Sequence, residues 1–491
     1  MILGEHAGGD GPTLDDLFRR AGVRHPHAPA LLDPPNRAAF TEGPPRVLTF
    51  AQADRAISAF AARLQALGLY ADTVIGLQLP NTVESVIALL GVLRAGMIPA
   101  PLPLLWRQRE MTEALDRAGA KVIVTSGRIG SCRQAELAMQ VAAELFPIRY
   151  VCGFGANPGD GVMPLDDVFS ETGDIAIAMR RERAAAHVAV ITFDTVSSGL
   201  VPRARNHAQL IACGTALAGD SGLGPDSTIL NTIPLASFAG LSAALVPWLI
   251  GGGTLHLHHG FDADAFAAQC AALDGGAVVL PGPALPALAP SLARAGSVIA
   301  LWRAPERMGL ARQQLTGVID VACFGEIGCL ATQRCADGTV LPLPCHDAAQ
   351  TKHGTLGLRG AFVPLPGFPP GEADAAEHGV FDTGYPCRID HERGTLSITA
   401  GPAGFTSVGS YRFSRGEVDD VVAEADAEAL IATLPDAMLG ERFAGSAPDR
   451  HDMQAALAAR GVNPLLAQAF RPRTVAAVES CHIDAALTEA G

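Results

Sequence analysis

Residues 48–125 alternate three times between helix-length amphipathic stretches and strand-length apolar runs. No other feature narrows the fold as much. A helix of 10–15 residues between two apolar strands is the usual way to carry the chain to a parallel neighbour. Thr49 with Gln52 has capping-box spacing, and Ala53, Ile57, Phe60, Leu64 and Leu67 recur at helical intervals up to Gly68. A strand is expected at 74–79. Asn81 then reads as an N-cap, with Glu84 three places on and Val83, Val86, Ile87 and Leu90 as the apolar face of a second helix ending at Gly96. A strand at 97–101, a helix at 110–118 and a strand at 121–125 complete the pattern, and a doubly wound α/β domain is predicted. An earlier helix carries Leu14, Leu17, Phe18 and Ala21.

A second stretch bears on chemistry. Residues 188–193 form an apolar run of strand length, followed by Thr195, Ser197, Ser198 and Gly199, then the basic Arg203, and then a helical pattern near His207. A strand leading into a small-residue loop beside a cation suits a phosphate-cradling turn, because backbone N–H groups can approach an anion there. An ordinary strand–loop–helix connection fits the same residues. The common P-loop pattern GxxxxGK[ST] is absent, which disfavours a Walker-type NTPase.

Size and charge set the remaining bounds. With 491 residues, 48% of them hydrophobic and 18% charged, the chain is expected to fold into more than one globular domain. A formal charge of −14 argues against nonspecific binding to nucleic acid or to an anionic membrane. The most apolar window, 86–105, contains Arg94, Gly96 and three prolines, so no membrane span is expected. No basic stretch followed by an apolar run opens the sequence, so a secretory leader is not expected, and the ten cysteines contain no CxxC pair. A cytoplasmic, reducing location with cysteines serving as small buried hydrophobes is the expectation. His256, His258 and His259 suggest a metal site or a polar strand end. No partner stands at a ligand spacing, and the polar strand end is the reading adopted. Lys121 and Lys352 are the only lysines.

These stretches together resemble the adenylate-forming superfamily of acyl- and aryl-CoA synthetases, nonribosomal-peptide adenylation domains and luciferases. Residues 49–127 carry the resemblance best, in Ile98-Pro-Ala-Pro-Leu and Ala118-Gly-Ala-Lys-Val-Ile-Val. The family's phosphate loop, T-S-G-T-T-G-x-P-K-G, is matched by Ser197, Ser198, Gly199, Pro202 and Arg203, with Val196 in place of the first glycine. The likeness runs from about Leu14 to Thr474. It implies a large N-terminal domain, residues 1–390, with doubly wound sheets and a distorted β-barrel-like subdomain. A small, shortened α+β C-terminal domain, 391–491, would follow.

The resemblance also implies sites, and several family residues are replaced. Where the family reads Y-G-x-T-E, this chain has Phe324, Gly325, Glu326, Ile327 and Gly328. Phe324 is expected to stack on adenine, and a glycine stands at the metal carboxylate. Where the family has T-G-D for the ribose, Asp382, Thr383 and Gly384 are followed by Tyr385. Pro402 takes the place of the hinge arginine, and no lysine follows the P-R-T-like Pro472, Arg473 and Thr474. Ser237, beside Phe238 and Gly240, stands at the family's pocket histidine. Its acyl pocket is expected between the helix starting at Ser237 and the strands near Pro281 and Phe324. ATP or AMP with Mg²⁺, and CoA or a carrier protein, are the implied cofactors and acceptors, with a small carboxylic acid as substrate. Arg203 is the remaining catalytic candidate. The expectation is a non-catalytic or strongly impaired member with eroded nucleotide motifs that binds an acyl or nucleotide ligand in the inherited cleft. The alternative is an active acid–thiol ligase using substitute residues.

Overall fold

The computed structural model describes residues 11–171, 184–273, 275–310, 315, 317–366, 368, 376–377, 379–409 and 411–471. The alternating segment builds a five-stranded parallel sheet in the order Ile98–Pro101, Val74–Gln78, Val122–Ser126, Tyr150–Phe154 and Met163–Pro164. A second sheet has eight strands. Its middle strands, Ser297–Trp302, Ala277–Pro281, Ile229–Asn231 and Leu255–Leu257, are parallel to their neighbours, and antiparallel pairs close both edges.

One hydrophobic core draws on both sheets, through Ile75 and Val124 on one side and Leu31, Val279 and Ile299 on the other. The helices Phe50–Ala66 and Val83–Arg94 share it. Val83–Arg94 is buried on all sides, as its nearly continuous apolar sequence requires. The capping box of Thr49 and Gln52 is formed. Asn81 caps nothing. The N-cap is Thr82, and the Asn81 amide donates to the carbonyls of Asn231 and His258, tying the two sheets together. Glu84 likewise leaves the helix end and takes both Arg37 N–H groups at 2.7 Å, with Arg46 also donating to it.

An antiparallel sheet follows, of Leu343–Pro344, Thr395–Ile398, Val380–Asp390, Thr355–Leu358 and Ala348–Gln350, with Ala376–Glu377 alongside. Asp390 ends one arm of a hairpin whose other arm, Thr395–Ile398, returns to the same sheet. The smaller unit comes next, with the hairpin Phe405–Val408/Tyr411–Ser414, the helix Arg415–Ala425, the hairpin Leu430–Asp436/Gly440–Ser446 and the helices Arg450–Ala459 and Pro464–Gln468. Its core, around Val421, Phe443, Leu457 and Phe470, takes in Leu105 of the larger part. The Leu105 N–H donates to the Tyr411 hydroxyl at 3.0 Å, and the Asn463 N–H donates to Glu110 at 3.1 Å. The chain is thus a mixed α/β protein with a large N-terminal and a small C-terminal part.

Candidate functional site

The stretch expected to run strand–loop–helix is a β-hairpin. Val188–Val196 pairs antiparallel with Gly199–Asn206 down to Val196 opposite Gly199, so Ser197 and Ser198 alone make the turn. The helix His207–Asp220 starts only after the second strand. Gly199 has φ +105°, and a Cβ there would run into Glu113 Oε1. That carboxylate accepts the Leu200 N–H at 2.9 Å, while Arg117 donates to the Ser198 carbonyl at 3.0 Å. The turn's amide therefore already holds a carboxylate. Thr195 reaches the edge of the cavity described below. Arg203 lies opposite Thr192 on the second strand, half-buried, and its Nε has no partner among the described residues.

Beneath the hairpin lies the turn after strand Val318–Phe324. Phe324 is wholly buried and meets the Tyr385 ring edge-on at 5.3 Å. Its faces are occupied by the core, so the expected adenine platform is closed in this structure. Gly325, at φ +58°, is boxed in, and a Cβ there would lie 2.6 Å from Asp194 Oδ1 and 2.8 Å from Arg412 Nη1. Glu326 is buried with both oxygens taken, one by Arg303 at 2.9 Å and the other by the Phe238 N–H at 2.7 Å. Arg205 is fully buried. It donates to the carbonyls of Glu326 at 2.6 Å and Ile327 at 2.9 Å, and lies 3.6 Å over the Phe238 ring. Burial lowers its pKa to about 10.

The other expected positions are spread around this layer. Ser237 caps its helix by accepting the Gly240 N–H, and Gly240 has no room for a Cβ against the Pro234 carbonyl. Asp382 is exposed and accepts the Gly384 N–H. Thr383 is buried and donates to the Leu356 carbonyl. Tyr385 is buried and donates to the Arg303 carbonyl at 3.3 Å, and burial pushes its pKa up. The donor set does not fit Mg²⁺, which wants free oxygen ligands in octahedral array. Glu326 is spent on Arg303 and an amide. Gly328 sits in a strand, where even a Cβ would lie 2.9 Å from Leu358 Cδ1.

A cavity of about 550 Å³ opens beside this layer. Phe193, Trp106, Leu104, Pro283, Leu288 and Met438 contribute to its largely apolar wall, and Ser237, Pro281 and Gly325 border it. Phe238 and Gly240 lie behind that wall. Asp194, Arg303, Glu326 and Arg412 line it together, and Arg307, His258, Asp436 and Glu441 are further polar side chains of its wall. A smaller cavity of about 410 Å³, with Glu306, Arg307, Tyr385, Thr406, Arg415 and Glu441 among its lining, adjoins it. His258 hydrogen-bonds Gln269, and His259 packs edge-on against Phe40 with its pKa pushed down to about 3 by burial. Among the described residues no three His, Cys, Asp or Glu side chains are grouped to hold a metal ion. Asp194, Arg303 and Arg412 are the site residues that sequence reading missed. Each gains its role from a partner more than 20 residues away, and no local pattern announces it.

Known proteins supply the context. A family model described as AMP-binding enzyme matches residues 18–193. A 3-[(3aS,4S,7aS)-7a-methyl-1,5-dioxo-octahydro-1H-inden-4-yl]propanoyl:CoA ligase from Mycobacterium tuberculosis is 30% identical over 213 residues, covering 42% of this chain and 41% of that protein. A long-chain-fatty-acid–CoA ligase from Yersinia pestis is 35% identical over 113 residues, 23% of this chain and 18% of the ligase. The chain thus spans less than half the length of these curated relatives. Among solved structures, the amide bond synthetase McbA from Marinactinospora thermotolerans superposes with a TM-score of 0.70 at 19% identity, covering 91% of this chain and 94% of McbA. Apo MbtA from Mycobacterium smegmatis gives 0.64 at 21% identity over 92% and 89%. Residues 18–193 thus match the AMP-binding, adenylate-forming superfamily in sequence, and the chain shares the fold of these solved structures.

Proposed function

We propose that this protein binds an apolar carboxylic acid or its acyl derivative in the 550 Å³ cavity and does not adenylate it by the route its relatives use. The cavity carries the proposal. Its volume falls within the range that encloses a small ligand, and its wall is mostly apolar with a few convergent polar groups. The nucleotide side supports the second half. The Ser197–Ser198 turn faces Glu113, Phe324 and Tyr385 close on each other, and Glu326 is committed to Arg303. A Coulombic seat for a triphosphate and its metal would supply most of the rate in such chemistry.

Calorimetry with medium-chain and aryl-alkanoic acids, run beside acid-dependent ATP–pyrophosphate exchange, tests both halves. Acid binding with exchange at background is expected. Exchange well above background would favour the second reading, an active ATP-dependent acid–thiol ligase with CoA or a carrier protein as acceptor. Its support is that the curated relatives named above are CoA ligases. No binding by any acid would end the cavity reading.

A further inference from the structure

We propose that Arg412, carried on the small C-terminal unit, is the seat for the ligand's carboxylate. The cavity ligand is on this view a free acid anion and not a neutral acyl compound. The inference rests on the cavity reading above and narrows it.

The observations concern hydrogen-bonding capacity left over at one end of the cavity. Most buried polar groups in a folded protein are matched. Here five buried polar atoms without partners among the described residues fall on one hairpin and its neighbour: Thr192 Oγ1, Asp194 Oδ2, Arg203 Nε, Arg205 Nη1 and Arg412 Nε. Thr192, Asp194, Arg203 and Arg205 share one face of the hairpin, because residues opposite each other in an antiparallel pair point the same way. Arg303 and Glu326 complete the charged layer with Arg412. Four guanidiniums (Arg203, Arg205, Arg303, Arg412) and two carboxylates (Asp194, Glu326) meet in this layer, while Arg307, Asp436 and Glu441 also line the cavity, so the charges nearly balance and what is left over is donor capacity. An N–H edge with no acceptor of its own suits a ligand oxygen.

Of the four guanidiniums, Arg303 and Arg412 border the cavity. Arg303 is engaged with Glu326 and the Gly325 carbonyl. Arg412 has a looser attachment. It reaches Asp194 Oδ1 with one nitrogen at 3.5 Å, lies over the Phe405 ring at 4.3 Å, and its Nε is unmatched among the described residues. A planar guanidinium with an unused edge suits a carboxylate, since its fork of N–H donors matches two oxygens. The apolar walls at Trp106, Phe193 and Leu288 then take the hydrocarbon body. Binding an acid in this way would join Arg412 of the small unit to a ligand held by the large one.

The test compares decanoate with decanamide, and 4-phenylbutyrate with 4-phenylbutyramide, by calorimetry at pH 8 on the full chain and on three variants. The native protein is expected to prefer each acid over its amide by at least about 10-fold, the scale of a charge-assisted hydrogen bond. In Arg412→Gln the preference is expected to fall to within about 3-fold while the amides still bind. Arg412→Lys should restore part of it. Asp194→Asn, which removes the competing carboxylate, should raise it. Amide binding in Arg412→Gln doubles as the check that the cavity is intact. If the acid preference survives in Arg412→Gln, or if native protein binds acid and amide equally, the carboxylate seat is overturned while the cavity reading stands. If neither acid nor amide binds the native chain, the cavity reading fails and takes this inference with it.

Discussion

At the scale of single residues, long-range pairing decides what local pattern misassigned. Glu84 lies three places after Asn81, as a capping partner should, yet both side chains serve the interface between sheets. Arg37 brings Asp33 and Glu84 together in a nearly dry pocket, and all three are buried. The attraction of Arg37 and Arg46 outweighs the cost of burial and keeps the Glu84 carboxyl below its usual range. Glu84→Gln would leave the buried Arg37 with one carboxylate, Asp33, in place of two. Such a loss costs about 3–5 kcal/mol, which urea unfolding should register as a lower midpoint with the slope unchanged. The site residues obey the same logic. Phe324 and Tyr385 stand at nucleotide-motif positions in the sequence, but only tertiary packing sets them edge to face against each other. Arg412 gave no sign in sequence, because Asp194 lies 218 positions away.

Elements were read more securely where their signals were local. The parallel strands and the capped helix Phe50–Ala66 follow from apolar periodicity and the Thr49–Gln52 box. The stretch 188–206 reads in sequence as strand, loop and helix start, because Ser197, Ser198, Gly199 and Pro202 spread turn chemistry over six residues. The missed signal is alternation on the far side of the turn: Leu200, Pro202 and Ala204 on one face, Val201, Arg203 and Arg205 on the other. Contacts between elements also set a pH dependence. Glu110, on the helix Gln108–Ala118, accepts the N–H groups of Arg107 and Asn463, with Glu417 nearby, and burial raises its pKa to about 7. The folded carboxyl thus holds its proton to higher pH than the unfolded one, which titrates near 4.5. Unfolding in that interval releases a proton, so this group's contribution to stability falls as pH rises from about 4.5 to about 7. Glu110→Gln should flatten that slope in chemical denaturation measured at intervals across the range.

For the whole molecule, the two sheets and their shared core make most thiols inaccessible. Cys152, Cys213, Cys270, Cys323, Cys329 and Cys387 are buried, whereas Cys132, Cys335 and Cys345 are partly open. Burial raises the pKa of Cys152, Cys270 and Cys323 to about 12, which suppresses the reactive thiolate. Titration with a thiol reagent should therefore label the six buried cysteines only after denaturant is added, and prompt labelling of them in the native chain would contradict this packing. No helix among the described residues is long and apolar enough to cross a membrane.

The main cavity takes wall from both parts of the molecule, with Leu104, Phe193 and Pro283 on one side and Met438, Leu439 and Leu465 on the other. A guest lodged there would touch both at once, so its affinity would depend on how the two parts sit against each other as well as on the wall of either one.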